Sequence, residues 1–126
     1  MSVFTDAINY TSDSSRYLID VKFPAGGTES NGVFLGNGAT LVGFYTLSAW
    51  TSAVLSFSGS LNGVDWYPIY NSAMVEYYGS PAQYATYVDS QNFVPWPWIK
   101  LRSGIDHGAV AQAAERKFTL IARAIA

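Results

Sequence analysis

His107 is the single histidine of the chain and follows Asp106 between Gly104 and Gly108, so acid–base chemistry near neutral pH would have to centre there. A catalytic triad also needs a nucleophile presented on a strained turn, and the sequence has no Gly-x-Ser-x-Gly segment to supply one. His107 is therefore read as a surface-loop histidine. Carboxylates at Glu29, Asp65, Glu76, Asp89 and Asp106 offer pairs of the type used in glycoside hydrolysis, but any chain of this length carries several acids. Asp89-Ser90-Gln91-Asn92 lacks the alternating acids of a calcium loop. The absence of cysteine removes disulfides, zinc ribbons, iron–sulfur clusters and thiol catalysis. The residues thus predict no enzyme, no metal and no cofactor.

Binding chemistry is better represented. In Phe93-Val94-Pro95-Trp96-Pro97-Trp98 two prolines stiffen the backbone and hold Trp96 and Trp98 at a fixed spacing, suited to stacking on a sugar or docking on a protein. The competing reading places both rings in the domain's own core, more readily for Trp98, which enters a strand. Lys100 and Arg102 share a strand face, and a wet sheet face is expected there, because two charges do not make a phosphate-reading patch.

Charged residues make up 13% of the chain and aromatics 16%, a balance that excludes disorder. A net charge of −2 is too weak for nonspecific nucleic-acid binding. No apolar run approaches the roughly 18 residues of a membrane helix, and Met1-Ser2-Val3-Phe4-Thr5-Asp6 lacks the basic and apolar blocks of a secretory leader. Neither a membrane nor nucleic acid is expected as a partner. A buried aromatic ring covers about 150–250 Å², which at about 25 cal/mol per Å² contributes roughly 4–6 kcal/mol as an upper bound. A small domain cannot bury all the rings present, and tyrosine-rich, charge-poor surfaces favour association.

The elements that must position these residues read as strands. Apolar and polar residues alternate from Arg16 to Phe23, with Tyr17, Ile19, Val21 and Phe23 on one face. Further strands are expected at 39–47, apolar on both faces, at 52–58, at 66–70 with Pro68 marking an edge, at 73–78, near 84–88, at 98–102 and at 117–125. Asn62-Gly63 predicts a tight hairpin turn. Residues 109–116 are compatible with two turns of helix or with an extended approach to the last strand. Residues 1–15 read as an amino-terminal arm and 16–126 as one all-β domain, an antiparallel β-sandwich. Phe4, Ile8 and Tyr10 are spaced to share one face of an extended arm, whose order would come from a partner.

The order of features resembles small β-sandwich virion proteins of tailed bacteriophages, above all head decoration (cement) proteins. The resemblance rests on a strand around Gly43, Trp50, the turn Ser60-Leu61-Asn62-Gly63 followed by Trp66 and Tyr70, then Trp98-Ile99-Lys100-Leu101-Arg102-Ser103-Gly104, Gln112, and a terminal strand near Arg123. It covers about Leu35 to Arg123. It implies a jelly-roll-like sandwich without catalysis that self-associates, as a homotrimer in preference to a dimer. It further implies docking on the major capsid protein at the outer surface of the phage head, after synthesis in the host cytoplasm. The residues expected at such capsid or subunit interfaces are Phe4, Ile8, Tyr10, Tyr84, Tyr87, Trp96 and Trp98. The alternative is a carbohydrate- or receptor-binding module of a phage tail or baseplate, with Trp96, Trp98 and nearby tyrosines as its sugar platform.

Overall fold

The computed structural model describes residues 8–10, 16–36, 38–46, 49–76, 78–79 and 86–124. Its strands are β1 (Ile8–Tyr10), β2 (Arg16–Phe23), β3 (Val33–Phe34), β4 (Ala39–Tyr45), β5 (Leu55–Ser60), β6 (Tyr67–Pro68), β7 (Tyr78–Gly79), β8 (Thr86–Tyr87), β9 (Trp98–Ile105), β10 (Gly108–Ala109) and β11 (Arg116–Ala124), with one 3-10 turn at Ser90–Asn92. They form two antiparallel sheets, as expected for a β-sandwich. One has the order β1-β2-β11-β4-β8; the other runs β10-β9-β5-β6, with β3 added to β9 and β7 to β5.

Alternation works as predicted in β2, where Ile19, Val21 and Phe23 are buried and Asp20 and Lys22 exposed. In β4 it breaks. Gly43 pairs with Ile121 but Leu41 with Ala122, so Val42 is the extra residue of a β-bulge. The bulge puts Leu41 and Phe44, three residues apart, both in the core, where strict alternation would have sent them to opposite faces. Strand β4 ends at Tyr45, and Val42 and Tyr45 are only half-buried, so its outer face is not covered as the apolar pattern suggested.

Ile8–Tyr10, expected in an arm ordered by a partner, is instead the edge strand of the first sheet, with Ile8 opposite Ile19 and Tyr10 opposite Tyr17. Main-chain hydrogen bonds to β2 within the same chain hold it. Residues 109–116 form no helix. Val110 N–H donates to the Ser103 carbonyl and Gln112 N–H to that of Gly27, so backbone partners elsewhere outweigh local propensity. The strand expected at 52–58 runs from Leu55 to Ser60.

The core is an aromatic chain crossing from sheet to sheet. Phe23 meets Phe118 at 5.8 Å between centroids, Phe118 meets Phe44 at 6.0 Å, Phe44 meets Phe57 at 6.2 Å, and Phe57 meets Phe93 edge-on at 5.0 Å. Trp50 caps the other end against Phe23 and Phe118. Beside it the buried Gln112 side chain ties separate segments together. Its amide donates to the Thr51 carbonyl and to Ser103 Oγ, and its oxygen accepts from Thr51 N–H and Arg116 Nε.

Gly59 of β5 is covered by Trp96. A Cβ at position 59 would sit 2.5 Å from Cγ and Cδ2 of the indole, so only glycine lets the ring lie on the strand. Replacing Gly59 by Ala is expected to cost about 1–3 kcal/mol through forced displacement of Trp96. Thermal unfolding measures the loss, and a red-shifted tryptophan emission reports the displaced ring.

Candidate functional site

The outer face of the second sheet is built from small residues opposite long ones. In the β5–β9 ladder Ser60 pairs with Trp98, Ser58 with Lys100 and Ser56 with Arg102. Each serine leaves space for its long neighbour to lie across the sheet. Trp98 is closed over by Phe34 of β3, 5.0 Å between ring centroids, and by Gly63, whose positive φ of 77° brings the turn backbone onto the indole. Lys100 Nζ lies 4.5 Å from the centre of the Trp66 ring and 2.8 Å from Glu29 Oε1. Arg102 reaches Glu76 Oε2 at 3.0 Å and Asp106 Oδ1 at 3.5 Å, and the Asp106 N–H donates to both Glu76 oxygens at 3.0 and 3.1 Å.

Lys100 and Arg102 therefore do not form the wet face expected of them. The Arg102 and Glu76 side chains are each only 11% exposed. Carboxylates of the same chain fill the positions an anionic ligand would take, so the face is a tie between loops. Glu76 holds the loop after β6 against the β9–β10 turn.

Both loops are sharply folded. Asn71 Oδ1 accepts from the N–H groups of Ala73 and Val75, Asn71 N–H donates to the Val75 carbonyl, and Tyr70 bridges Glu76. This side-chain capture turns the chain where a strand over 73–78 was expected, leaving only Tyr78–Gly79 in the sheet. At the tip Met74 has φ 63°, in the left-handed region that β-carbon-bearing residues avoid, and its side chain is 81% exposed. The β5–β6 connection is likewise longer than the two-residue turn predicted for Asn62-Gly63. Ser60 Oγ accepts from Asn62 and Gly63 N–H, while Asn62 Oδ1 accepts from Val64 and Asp65 N–H. These bonds fix a wide loop with Leu61 71% and Val64 76% exposed. Pro68 lies in the edge strand β6, as proline requires.

One stretch, 61–76, thus presents Leu61, Val64, Tyr67, Tyr70, Met74 and Val75 to solvent from turns anchored by side-chain hydrogen bonds and ion pairs. Sequence reasoning did not single these residues out as an interface. The available signal was apolar residues at 61, 64, 74 and 75 inside turn-forming segments, where polar ones are the norm.

Among the residues expected at an interface, Tyr87 is 90% exposed on the edge strand β8. Trp96 and Trp98 are half-buried on their own domain, Trp96 against Gly59 and the core and Trp98 between Phe34 and Gly63. Ile8 and Tyr10 belong to β1; Phe4 and Tyr84 lie outside the described residues. Among the described residues no ring contact joins Tyr87, Trp96 and Trp98 to one another. His107 is exposed at the β9–β10 turn with φ 63°, its Nε2 3.3 Å from Asp106 Oδ2. Among the described residues no three His, Cys, Asp or Glu side chains cluster as metal ligands. A groove of about 670 Å³ on the first sheet runs past Asp20, Lys22, Tyr45 and Thr119, where Asp20 accepts from Thr119 and Lys22 pairs with Glu115.

No family model, curated protein or solved structure matches this chain. The functional reading therefore rests on its own geometry and on the resemblance of its sequence pattern.

Two substitutions separate the parts of this surface. Met74→Gly relieves a left-handed β-carbon worth about 1–2 kcal/mol, partly offset by the greater freedom of unfolded glycine, and is expected to stabilise the protein by about 0.5–1 kcal/mol. Glu76→Ala takes the nearer carboxylate from Arg102, leaving it Asp106 at 3.5 Å, and removes the acceptor of the Asp106 amide; it is expected to destabilise by about 2 kcal/mol, less than a fully enclosed pair because water reaches its rim. Urea unfolding of both variants checks the opposite signs.

Proposed function

We propose that this chain is a non-enzymatic virion structural protein, a capsid decoration or cement protein that self-associates and docks on the major capsid protein of a phage head. The observation that carries the reading is the segment 61–76, whose exposed apolar residues sit on turns pinned by side-chain hydrogen bonds. Six large apolar side chains in water on anchored turns are a liability for an isolated small domain and an asset for one that is covered in an assembly. The neighbouring Lys100 and Arg102 are already neutralised by carboxylates of the same chain, so contact there requires no stripping of unpaired charges.

The two-sheet architecture agrees with the jelly-roll-like sandwich that the resemblance implies, and the chain passes repeatedly from one sheet to the other between β2 and β11. Trimers are favoured over dimers because decorators of this kind occupy local threefold positions. Of the residues expected at the interface, Ile8 and Tyr10 are engaged through their backbone with β2 of their own chain, so the main contact is assigned to 61–76. Tyr87, on the edge strand of the opposite sheet, is a second contact point.

The test is binding to heads lacking the protein. A Leu61→Ser/Val64→Ser double variant touches only exposed side chains and is expected to keep its stability within about 0.5 kcal/mol while binding heads at least roughly tenfold more weakly. Cosedimentation with heads and analytical ultracentrifugation of the free protein provide the two readouts. A clean monomer that leaves heads undecorated removes the reading.

A further inference from the structure

A cleft of about 500 Å³ lies between the loop that follows β6 and the Ser90–Asn92 turn. Its aromatic walls are Tyr70 and Trp96, and its polar wall carries Asn71, Asp89, Gln91 and Asn92. The size falls within the 300–1,000 Å³ range of small-ligand sites.

The walls are set before any ligand arrives. Trp96 is seated on Gly59 and the core and also lines the cleft. Pro95 and Pro97 flank it with fixed φ, Trp96 N–H donates to the Phe93 carbonyl, and the Pro97 carbonyl accepts from Leu35 N–H. On the opposite wall Asp89 Oδ1 accepts from Gln91 N–H and Asn92 Nδ2 donates to the Asp89 carbonyl, closing the 3-10 turn. Asn71 uses its Oδ1 on its own loop, which leaves its Nδ2 outside those bonds, and the Gln91 side chain is exposed.

The chemistry of such a lining is selective. Indole and phenol faces take the C–H face of a sugar ring, while primary amides and a carboxylate donate to and accept from its hydroxyls. No lysine or arginine is among the lining residues, so nothing in the lining answers the charge of an anion. We propose that this cleft is a binding site for a neutral saccharide, with a pyranose ring stacked on Trp96 and Tyr70 and its hydroxyls bonded to Asn71, Asp89 and Gln91. The cleft shares Tyr70 with the docking segment 61–76, but Leu61 and Val64 are not among its lining residues, so a change at those two positions addresses capsid docking alone.

The experiment is proton–nitrogen NMR on the full chain titrated with maltotriose, cellotriose, tri-N-acetylchitotriose and, as an acidic counterpart, trigalacturonate. The result expected is a saturable shift of the Trp96 indole N–H with at least one neutral trisaccharide, with Kd on the order of 1 mM, and none with trigalacturonate. Tyr70→Ala and Gln91→Ala alter exposed side chains, so they remain readable even if Trp96→Ala fails to fold, and each is expected to weaken binding by roughly fivefold or more. Tyr87→Ala serves as the control and leaves binding unchanged. The proposal is overturned by any of three results: no shift at Trp96 with any neutral trisaccharide, shifts confined to Trp50, Trp66 or Trp98, or trigalacturonate binding as tightly. Wild-type affinity in both Tyr70→Ala and Gln91→Ala also overturns it. The Leu61→Ser/Val64→Ser variant is expected to keep the saccharide shift, so failure of capsid binding and failure of the cleft are told apart.

Discussion

Every residue of strand β5, from Leu55 to Ser60, is out of water, and a strand inside a sheet stays dry on its second face only if something covers it. On the inner face Leu55 and Phe57 meet the aromatic core and Gly59 is roofed by Trp96. On the outer face Ser56, Ser58 and Ser60 are roofed by the long side chains of β9. That second cover sets much of the rest. Lys100 and Arg102 can lie over serines only when their charges are answered at close range, which brings in Glu29, Glu76 and Asp106 and thereby the loops that carry them. The folded turns at 61–65 and 71–76 are, in this sense, the outer rim of the packing of one strand.

What could be read from the residues was whatever depends on near neighbours. Strand β2 declares itself by alternation, Pro68 by its missing donor, and the extended run from Trp98 by its period of two. The two-residue strands β3, β7 and β10 are too short to show a period. The Val42 bulge is a property of the β4–β11 pairing and leaves no mark in either strand alone. Asn62-Gly63 signalled a turn correctly, but its length was decided by Ser60 Oγ and Asn62 Oδ1 capturing the amides that follow.

The candidate surface was less legible for the same reason. Glu29, which answers Lys100, and Glu76, which with Asp106 answers Arg102, lie 71 and 26 residues away from their partners, and no spacing rule links them. Trp96 stood out because of its flanking prolines, yet its seat on Gly59 and its position beside Tyr70 arise only when the two sheets close. Ile8 and Tyr10 were noticed for their spacing, but what holds them is the unpaired edge of β2, and a sequence does not announce which edge is free.

The last strand in chain order, β11, lies at the centre of the first sheet, with β2 on one side and β4 on the other. During synthesis the ribosome therefore releases β2 and β4 with nothing between them, and Gln112, whose partner Thr51 lies 61 residues earlier, arrives only just before β11 itself. Contacts of such separation form late, so the nascent chain has to wait with two open strand edges until residues 116–124 emerge. A polypeptide interrupted before that point would carry nearly all of the apolar core and none of the strand that joins it. Folding of this domain is therefore close to an all-or-none event that waits for residues 116–124, and a chain cut before them would be poised to aggregate.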